Sequence, residues 1–321
     1  MKIGFIGLGN VGSKLSGSLL RNGVDLTVHD LNDDLVQEMV GLGAHKGENP
    51  AQLMRDCDAV ITCLPSPAAS ASVMEGKDGL LETMGPGKIW MEMSTTDEAE
   101  VKRLGAKVAA KGGSAVDCPV SGGCHRADTG NISIFAGCDR TTFERILPLL
   151  TTMGRRILHT GDLGSASVLK VLTNYLATAN LITCSEALVV AKAAGMDLNT
   201  AYEAMKISSG TSFVHETESQ VILNGSRDIS FTMDLVLKDI GLFQDVADRA
   251  GVPLEMNPLM IEIFKDGIER YGPRELSPNI IKRLEDATGL DIRAPGFPAE
   301  MTDDEPEEPG YEIIPAGSKR G

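Results

Sequence analysis

Lys170 and Asn174 stand four residues apart in a stretch that is otherwise apolar or small, with Ala166, Val168, Leu169, Val171 and Leu172 around the lysine. On a helix that spacing puts both on one face, a single turn apart. A lysine among apolar neighbours loses hydration, which disfavours its charged form, and a place in the first two turns of a helix sets it against the dipole. Both effects move an amine toward the range where it takes and gives a proton near neutral pH. The plainer reading is a lysine that snorkels to water at a domain edge. A second group is Asp117-Cys118-Pro119-Val120-Ser121-Gly122-Gly123, at the end of an apolar run. Paired glycines there expose backbone N–H groups beside one hydroxyl, a cradle for a carboxylate. The same residues also suit an ordinary tight turn.

The start of the chain supplies something for such groups to act with. A short apolar run at residues 3–6 feeds into Gly7-Leu8-Gly9-Asn10-Val11-Gly12, and an amphipathic pattern (Leu15, Leu19, Leu20) follows. Strand, glycine turn and helix N-terminus in that order form a dinucleotide site. Gly7 permits the turn, Gly9 lets backbone amides approach a pyrophosphate, and Gly12 lets the helix sit against the strand. A second strand at residues 25–30 ends on Asp30, which follows Gly12 by 18 positions. That is close to the roughly 20 expected of an acid that bonds the adenosine ribose. A carboxylate there repels a 2′-phosphate, and positions 31–35 hold no Arg or Lys, so NAD is expected over NADP. The alternative role for Asp30 is to cap a helix that begins near Asp33. A nicotinamide cation beside Lys170 would push its proton off further.

These groups must be carried by a larger frame, and 321 residues suffice for two domains. Strand patterns at 2–6, 25–30, 58–64, 88–92, 114–118, 131–136 and 155–159 alternate with helical ones such as 97–110 and 140–151. That alternation predicts a doubly wound α/β domain over 1–163, its sheet mostly parallel. Residues 165–194 contain no Pro or Gly and are apolar on most faces. One helix of that length spans about 45 Å and calls for burial by other helices or by a second subunit. It would open an all-α domain over 164–294, with further helices near 197–207, 213–224, 232–250, 256–270 and 277–287. From 295 to 321 the chain is acidic and broken by prolines, which suits a solvated extension. Alternatively, Phe297, Tyr311 and Ile313–Ile314 pin it onto a neighbouring subunit.

Composition narrows the function further. A net charge of −15 argues against nucleic acid and anionic membranes as partners. No uninterrupted apolar run of about 18 residues is present, so no membrane span is expected. A strand that begins at residue 2 leaves no room for a leader, so a cytoplasmic location is expected. The six cysteines form neither a CxxC pair nor a Cys/His metal spacing, which predicts reduced thiols and no metal.

Taken together, the motifs resemble the β-hydroxyacid dehydrogenases, the family of 3-hydroxyisobutyrate dehydrogenase and tartronate semialdehyde reductase. GFIGLGNVG at the start, DCPVSGG at 117–123, GSASVLKVLTN at 164–174 and DLVLKD at 234–239 match in order, and CLPSP, MSTTD and GNISIFAG agree as well. The resemblance covers about residues 1–290. It implies an N-terminal Rossmann-type domain followed by an all-α domain entered through a long helix. It also implies hydride transfer between NAD and a small 3-hydroxy acid, in a homodimer or homotetramer. Lys170 then looks like the general acid–base and Asn174 like its partner in orienting substrate. Ser121, Gly122 and Gly123 look like the substrate-carboxylate cradle. Thr95 and Lys238 look like contacts near the nicotinamide, Leu64 and Pro65 like backing for the adenosine side, and Asp239 like the residue that holds Lys238. By spacing alone, Lys238-Asp239 is a surface charge pair. Ala166 and Cys118 depart from the family pattern. His125 and Arg126 are not general family features. Pointing inward they would bind a second anionic group on the substrate; pointing outward they are solvated loop residues. Two rivals remain at this level: a reductase of imines or another carbonyl class, and a catalytically idle dinucleotide-binding protein. Lys170 argues against the first, because imine reductases of similar architecture usually lack the lysine, and retention of Lys170, Asn174 and Ser121 together argues against the second.

Overall fold

Short apolar segments with turn residues between them become parallel strands in the computed structural model, which describes residues 1–317. In chain order the first unit holds β1 (Ile3–Ile6), α1 (Asn10–Arg21), β2 (Leu26–His29), α2 (Asp33–Gly41), β3 (His45–Lys46), α3 (Pro50–Asp56), β4 (Ala59–Thr62), α4 (Pro67–Glu75), α5 (Leu80–Thr83), β5 (Ile89–Glu92) and α6 (Glu98–Ala110). It continues with β6 (Ser114–Asp117), β7 (Val120–Ser121), α7 (Cys124–Asp128), β8 (Ile132–Gly137), α8 (Arg140–Met153), β9 (Gly154–Gly161) and the start of α9 (Ser165–Ala193). Successive strand residues enter opposite layers. Ile3, Phe5, Ile61, Met91 and Val116 join Leu15, Leu19, Phe143 and Ile146 on one side, all buried. Ile6, Val60 and Trp90 face Leu53, Met74, Leu104 and Val108 on the other. Both faces are thus covered by helices, as a parallel sheet requires.

The strand order is β10-β9-β8-β6-β5-β4-β1-β2-β3, with β7 paired to β8 off this line. Neighbours run parallel except at β6–β8 and β7–β8. β1 lies between β2 and β4, where the winding reverses, and the carboxyl ends of strands at such a point form a ligand crevice. The expected mostly parallel, doubly wound sheet is present. β3 and β7, two residues each, were too short to leave a strand pattern in the sequence.

The second unit is helical: the rest of α9, then α10 (Leu198–Lys206), α11 (Phe213–Asn224), α12 (Met233–Ala250), α13 (Met256–Tyr271), a 3-10 turn at Ser277–Ile281, and α14 (Lys282–Thr288). Its core gathers Leu181, Leu188, Val189, Ile222, Ile240, Phe264 and Ile281. α9 is long and apolar enough to cross a membrane by length and composition, with a mean hydropathy of 1.3 over its best window. One such helix is weak evidence of a span, and polar residues interrupt it, so the expectation of no uninterrupted apolar run of about 18 residues stands. α9 contributes Leu181, Leu188 and Val189 to the core of the helical unit.

Two boundaries differ from the expected ones. The units divide at Lys170/Val171, inside α9, rather than at 163/164. The tail also splits. Residues up to Thr302 belong to the helical unit, where Phe297 meets Tyr202 edge-on at 4.9 Å and Asn224 donates to the Phe297 carbonyl at 2.8 Å. From Asp303 the chain returns to the first unit, and β10 (Tyr311–Ile313) extends its sheet parallel to β9. This segment is therefore not a free solvated extension. The open edge of β9 supplies main-chain partners, and arginines meet its acids: Arg140 grips Glu312 with two nitrogens at 2.5 and 3.1 Å.

Candidate active site

The glycine turn has the shape its sequence demands. Gly7 adopts φ +97°, and a Cβ there would lie 2.2 Å from the Cys63 carbonyl oxygen. A Cβ on Gly12 would lie 1.9 Å from the Gly7 oxygen, whereas one on Gly9 would meet nothing within 4 Å. The turn is thus closed beneath and open above. Gly9 and Asn10 are exposed, Val11 is half-buried and Leu8 is buried in the core. Gly9 is the N-cap of α1 and, among the described residues, offers no side-chain acceptor to the first turn, which also carries no acid. These N–H groups and the dipole suit a pyrophosphate, so the residues fit a dinucleotide.

Asp30 sits at the end of β2, half-buried. Its Oδ2 accepts the Leu8 N–H at 2.7 Å and its Oδ1 accepts the Asn32 N–H at 2.8 Å. The cap of α2 is Asn32, whose side chain accepts the Asp34 N–H at 3.1 Å, so the capping role considered for Asp30 belongs two residues on. Asp30 instead clamps the glycine turn, and each carboxylate oxygen keeps a further lone pair for a ribose hydroxyl.

Leu64 and Pro65 follow β4, and Thr95 follows β5. A buried network ties these loops: the Leu64 N–H donates to Ser94 Oγ at 2.7 Å, Ser94 Oγ–H donates to Glu92 Oε1, and the Ser94 N–H reaches the same oxygen at 2.9 Å. Glu92 is fully buried, and that burial pushes its carboxyl above the usual range. The sequence pointed to a role for neither Glu92 nor Ser94, because the loop they tie down, at Leu64, lies 30 residues away.

The Ser121–Gly123 turn lies between β7 and α7. Gly122 and Gly123 take φ of +133° and +87°, the left-handed region that glycine allows. Ser121 pairs with Ser133 across β7 and β8, which fixes the near side of the turn. Arg126, one turn into α7, packs its Cδ where a Gly122 Cβ would come within 3.2 Å. Its guanidinium meets Glu305 at 3.2 Å and Asp303 at 3.9 Å. Arg126 is thus engaged by the tail and is not the solvated loop residue of the outward reading.

Asp117, at the end of β6, is the residue that sequence reasoning missed as a positioning group. Fully buried, its carboxylate accepts the Gly164 N–H at 2.8 Å, the Ser167 N–H at 2.7 Å and the Ser167 hydroxyl at 2.8 Å. A Cβ on Gly137 would lie 2.4 Å from Asp117 Oδ1, so a glycine there makes room for the carboxylate. Burial raises the Asp117 carboxyl, while these three donors and the start of α9 oppose that rise. One loop therefore both fixes the first turn of α9 and, four residues on, presents Ser121. Lys170 lies in the second turn of α9 and is 8% exposed.

In the helical unit Asn174 follows on α9. Its Nδ2 donates to Asp239 Oδ2 on α12, and Lys238 Nζ lies 2.7 Å from Asp239 Oδ1. Asp239 is 2% exposed and joins two residues that the sequence could only name separately. The structure thus groups the glycine turn, Asp30, the Leu64 and Thr95 loops, Ser121–Gly123 and Lys170 in the first unit. It groups Asn174, Lys238 and Asp239 in the second.

Residues 2–161 match the NAD-binding domain of 6-phosphogluconate dehydrogenase, and residues 164–284 match the NAD-binding domain of NADP-dependent 3-hydroxyisobutyrate dehydrogenase. Neither match extends past residue 284. The chain is 33% identical over 293 residues to 2-(hydroxymethyl)glutarate dehydrogenase of Eubacterium barkeri, covering 91% of this chain and 97% of that one. It is 33% identical over 292 residues to 3-sulfolactaldehyde reductase of Escherichia coli, covering 90% and 97%. A crystal structure of 3-hydroxyisobutyrate dehydrogenase from Salmonella typhimurium superposes with a TM-score of 0.81 at 26% identity, covering 88% of this chain and 99% of that one.

Proposed function

The chain belongs to the β-hydroxyacid dehydrogenase family, a family of nicotinamide-dependent oxidoreductases, and on that premise we propose that it oxidises a short 3-hydroxy acid at C3 with NAD. 3-Hydroxyisobutyrate is the substrate we put first. The observation that carries this reading is the double use of the 117–123 loop: Asp117 fixes the first turn of α9, which bears a buried Lys170, and Ser121–Gly123 offers a hydroxyl and two amides. When bound, the dinucleotide supplies the hydride acceptor. Ser121 and the Gly122 and Gly123 amides bind the substrate carboxylate and so set where C3 lies. Lys170 Nζ takes the hydroxyl proton in oxidation and returns it to the carbonyl oxygen in reduction. Asn174, held by Asp239, orients the same hydroxyl. Positioning and charge stabilisation supply most of the rate. Incubation of the enzyme and NAD with 3-hydroxyisobutyrate, serine, glycerate and 3-hydroxypropionate, read as NADH absorbance, tests the proposal. Turnover of at least one acid is expected; silence with all of them rejects it.

We assign NAD over NADP on Asp30, whose carboxylate at the end of β2 repels a 2′-phosphate. Leu31 beside it is fully exposed, an open place for a cation. Asp30→Ser with Leu31→Arg is expected to shift the ratio of kcat/KM for NADP over NAD by about a hundredfold, the weight of removing one close like-charge contact. An unchanged ratio would mean that Asp30 only clamps the turn. Leu172, Leu176 and Val190 share one exposed face of α9, and we assign self-association to it. A monomer in sedimentation at micromolar concentration would contradict that assignment.

A further inference from the structure

From Asp303 the acidic tail lies along an arginine-rich face of the first unit, and its first contacts bear on the substrate turn. Asp303, its side chain only 3% exposed, accepts the Thr129 hydroxyl at 2.5 Å and Asn131 Nδ2 at 2.7 Å. Asn131 Nδ2 also donates to the Glu305 carbonyl at 2.8 Å. Glu305 divides its carboxylate between Arg126 at 3.2 Å and Arg156 at 3.3 Å. Further on, Glu307 meets Arg21 at 3.5 Å, and Arg21 donates to the Asp128 carbonyl at the end of α7. The helix that follows Gly123 is thus held by the tail at Arg126 and just past its end, at Thr129 and Asn131. Arg126 is its one arginine, and its stem rests against Gly122.

We propose that Asp303 and Glu305 are specificity-determining residues, which engage Arg126 and so bar substrates with a second anionic group beside the cradled carboxylate. The inference rests on the reading of Ser121–Gly123 as that cradle. Arg126 is the nearest cation in sequence to the cradle, and two carboxylates already face it. An incoming anion would have to displace one of them or sit among them. His125 is a poor substitute, because burial, with Arg126 adding to it, lowers its pKa and disfavours the charged ring. Asp303 and Glu305 lie past residue 284, outside the family-matched part of the chain, whereas Arg126 lies within it.

A matched pair of acids isolates the effect: 3-hydroxyisobutyrate, and 2-(hydroxymethyl)succinate, which adds one carboxylate to its methyl group. Dissociation constants in the presence of NADH are read by fluorescence for the full-length chain, for Asp303→Asn/Glu305→Gln, and for that double variant with Arg126→Ala added. Affinity for the dianion relative to the monoanion is expected to rise about tenfold in the double variant, the weight of one charge-assisted hydrogen bond. It should return to the wild-type ratio in the triple variant. An unmoved ratio in the double variant, or a raised ratio that survives loss of Arg126, overturns the inference. If the double variant does not fold, Glu305→Gln alone gives the same readout at a more exposed carboxylate. Ser121→Ala is measured in parallel and should weaken both acids. If it weakens neither, or if neither acid binds the wild type, the cradle reading itself fails.

Discussion

Lys170→Ala lowers kcat by about two to four orders of magnitude, the weight of a positioned general acid–base. Lys170→Arg falls as far, because a guanidinium keeps its proton at any working pH and cannot accept one from the substrate hydroxyl. Affinity for NADH and thermal stability are expected to stay close to wild type. The arginine variant separates two roles. A lysine that served only as a positive charge beside a developing alkoxide would leave Lys170→Arg partly active. A steady-state assay in the direction of NADH formation, with melting followed in parallel, reads all of these outcomes.

Asp117→Ala has the next largest effect, and it falls on stability as well as rate. The change strips three donors of their acceptor at the first turn of α9. It also leaves a cavity where Gly137 gives up its own side chain to make room. Loss of a buried cap of this kind costs about 3 kcal/mol, which for a domain of this size lowers Tm by about 10 °C. Because the displaced turn leads directly to Lys170, kcat falls about tenfold or more even below the melting range. Ser167→Ala removes one of the three donors, the hydroxyl, and costs about 1 kcal/mol. A full loss of kcat with unchanged Tm would show that Asp117 touches substrate and does not act through α9.

Much of this was legible in the chain, for reasons that can be named. The glycine fingerprint is local: turn, close approach and helix start all fall within residues 7–12, so a reader needs no fold to see it. The strand and helix alternation survives in sequence because both faces of the sheet are covered, which makes each strand a continuous apolar run. Lys170 stood out because its neighbours were apolar. The pairings that were missed act at a distance in sequence. Asp117 reaches α9 across 47 positions, and Asn174 reaches Asp239 across 65. Nothing in their immediate neighbours records those pairings. The tail was misread for a related reason. Its composition is that of a solvated segment, and only the arginines spread over α1, α7, α8 and β9 explain why it lies down. Arg126 shows the same limit: the sequence placed it beside the cradle, but its partners are almost 180 residues away.

Direct transfer between C3 and the cofactor is the central claim, and isotope labelling tests it with the least intervening inference. The enzyme is given NAD and 3-hydroxyisobutyrate carrying deuterium at C3, and the reduced cofactor is analysed by mass spectrometry. The account predicts one deuterium in the reduced cofactor for each molecule of aldehyde formed. Reduced cofactor free of deuterium while aldehyde accumulates would contradict it.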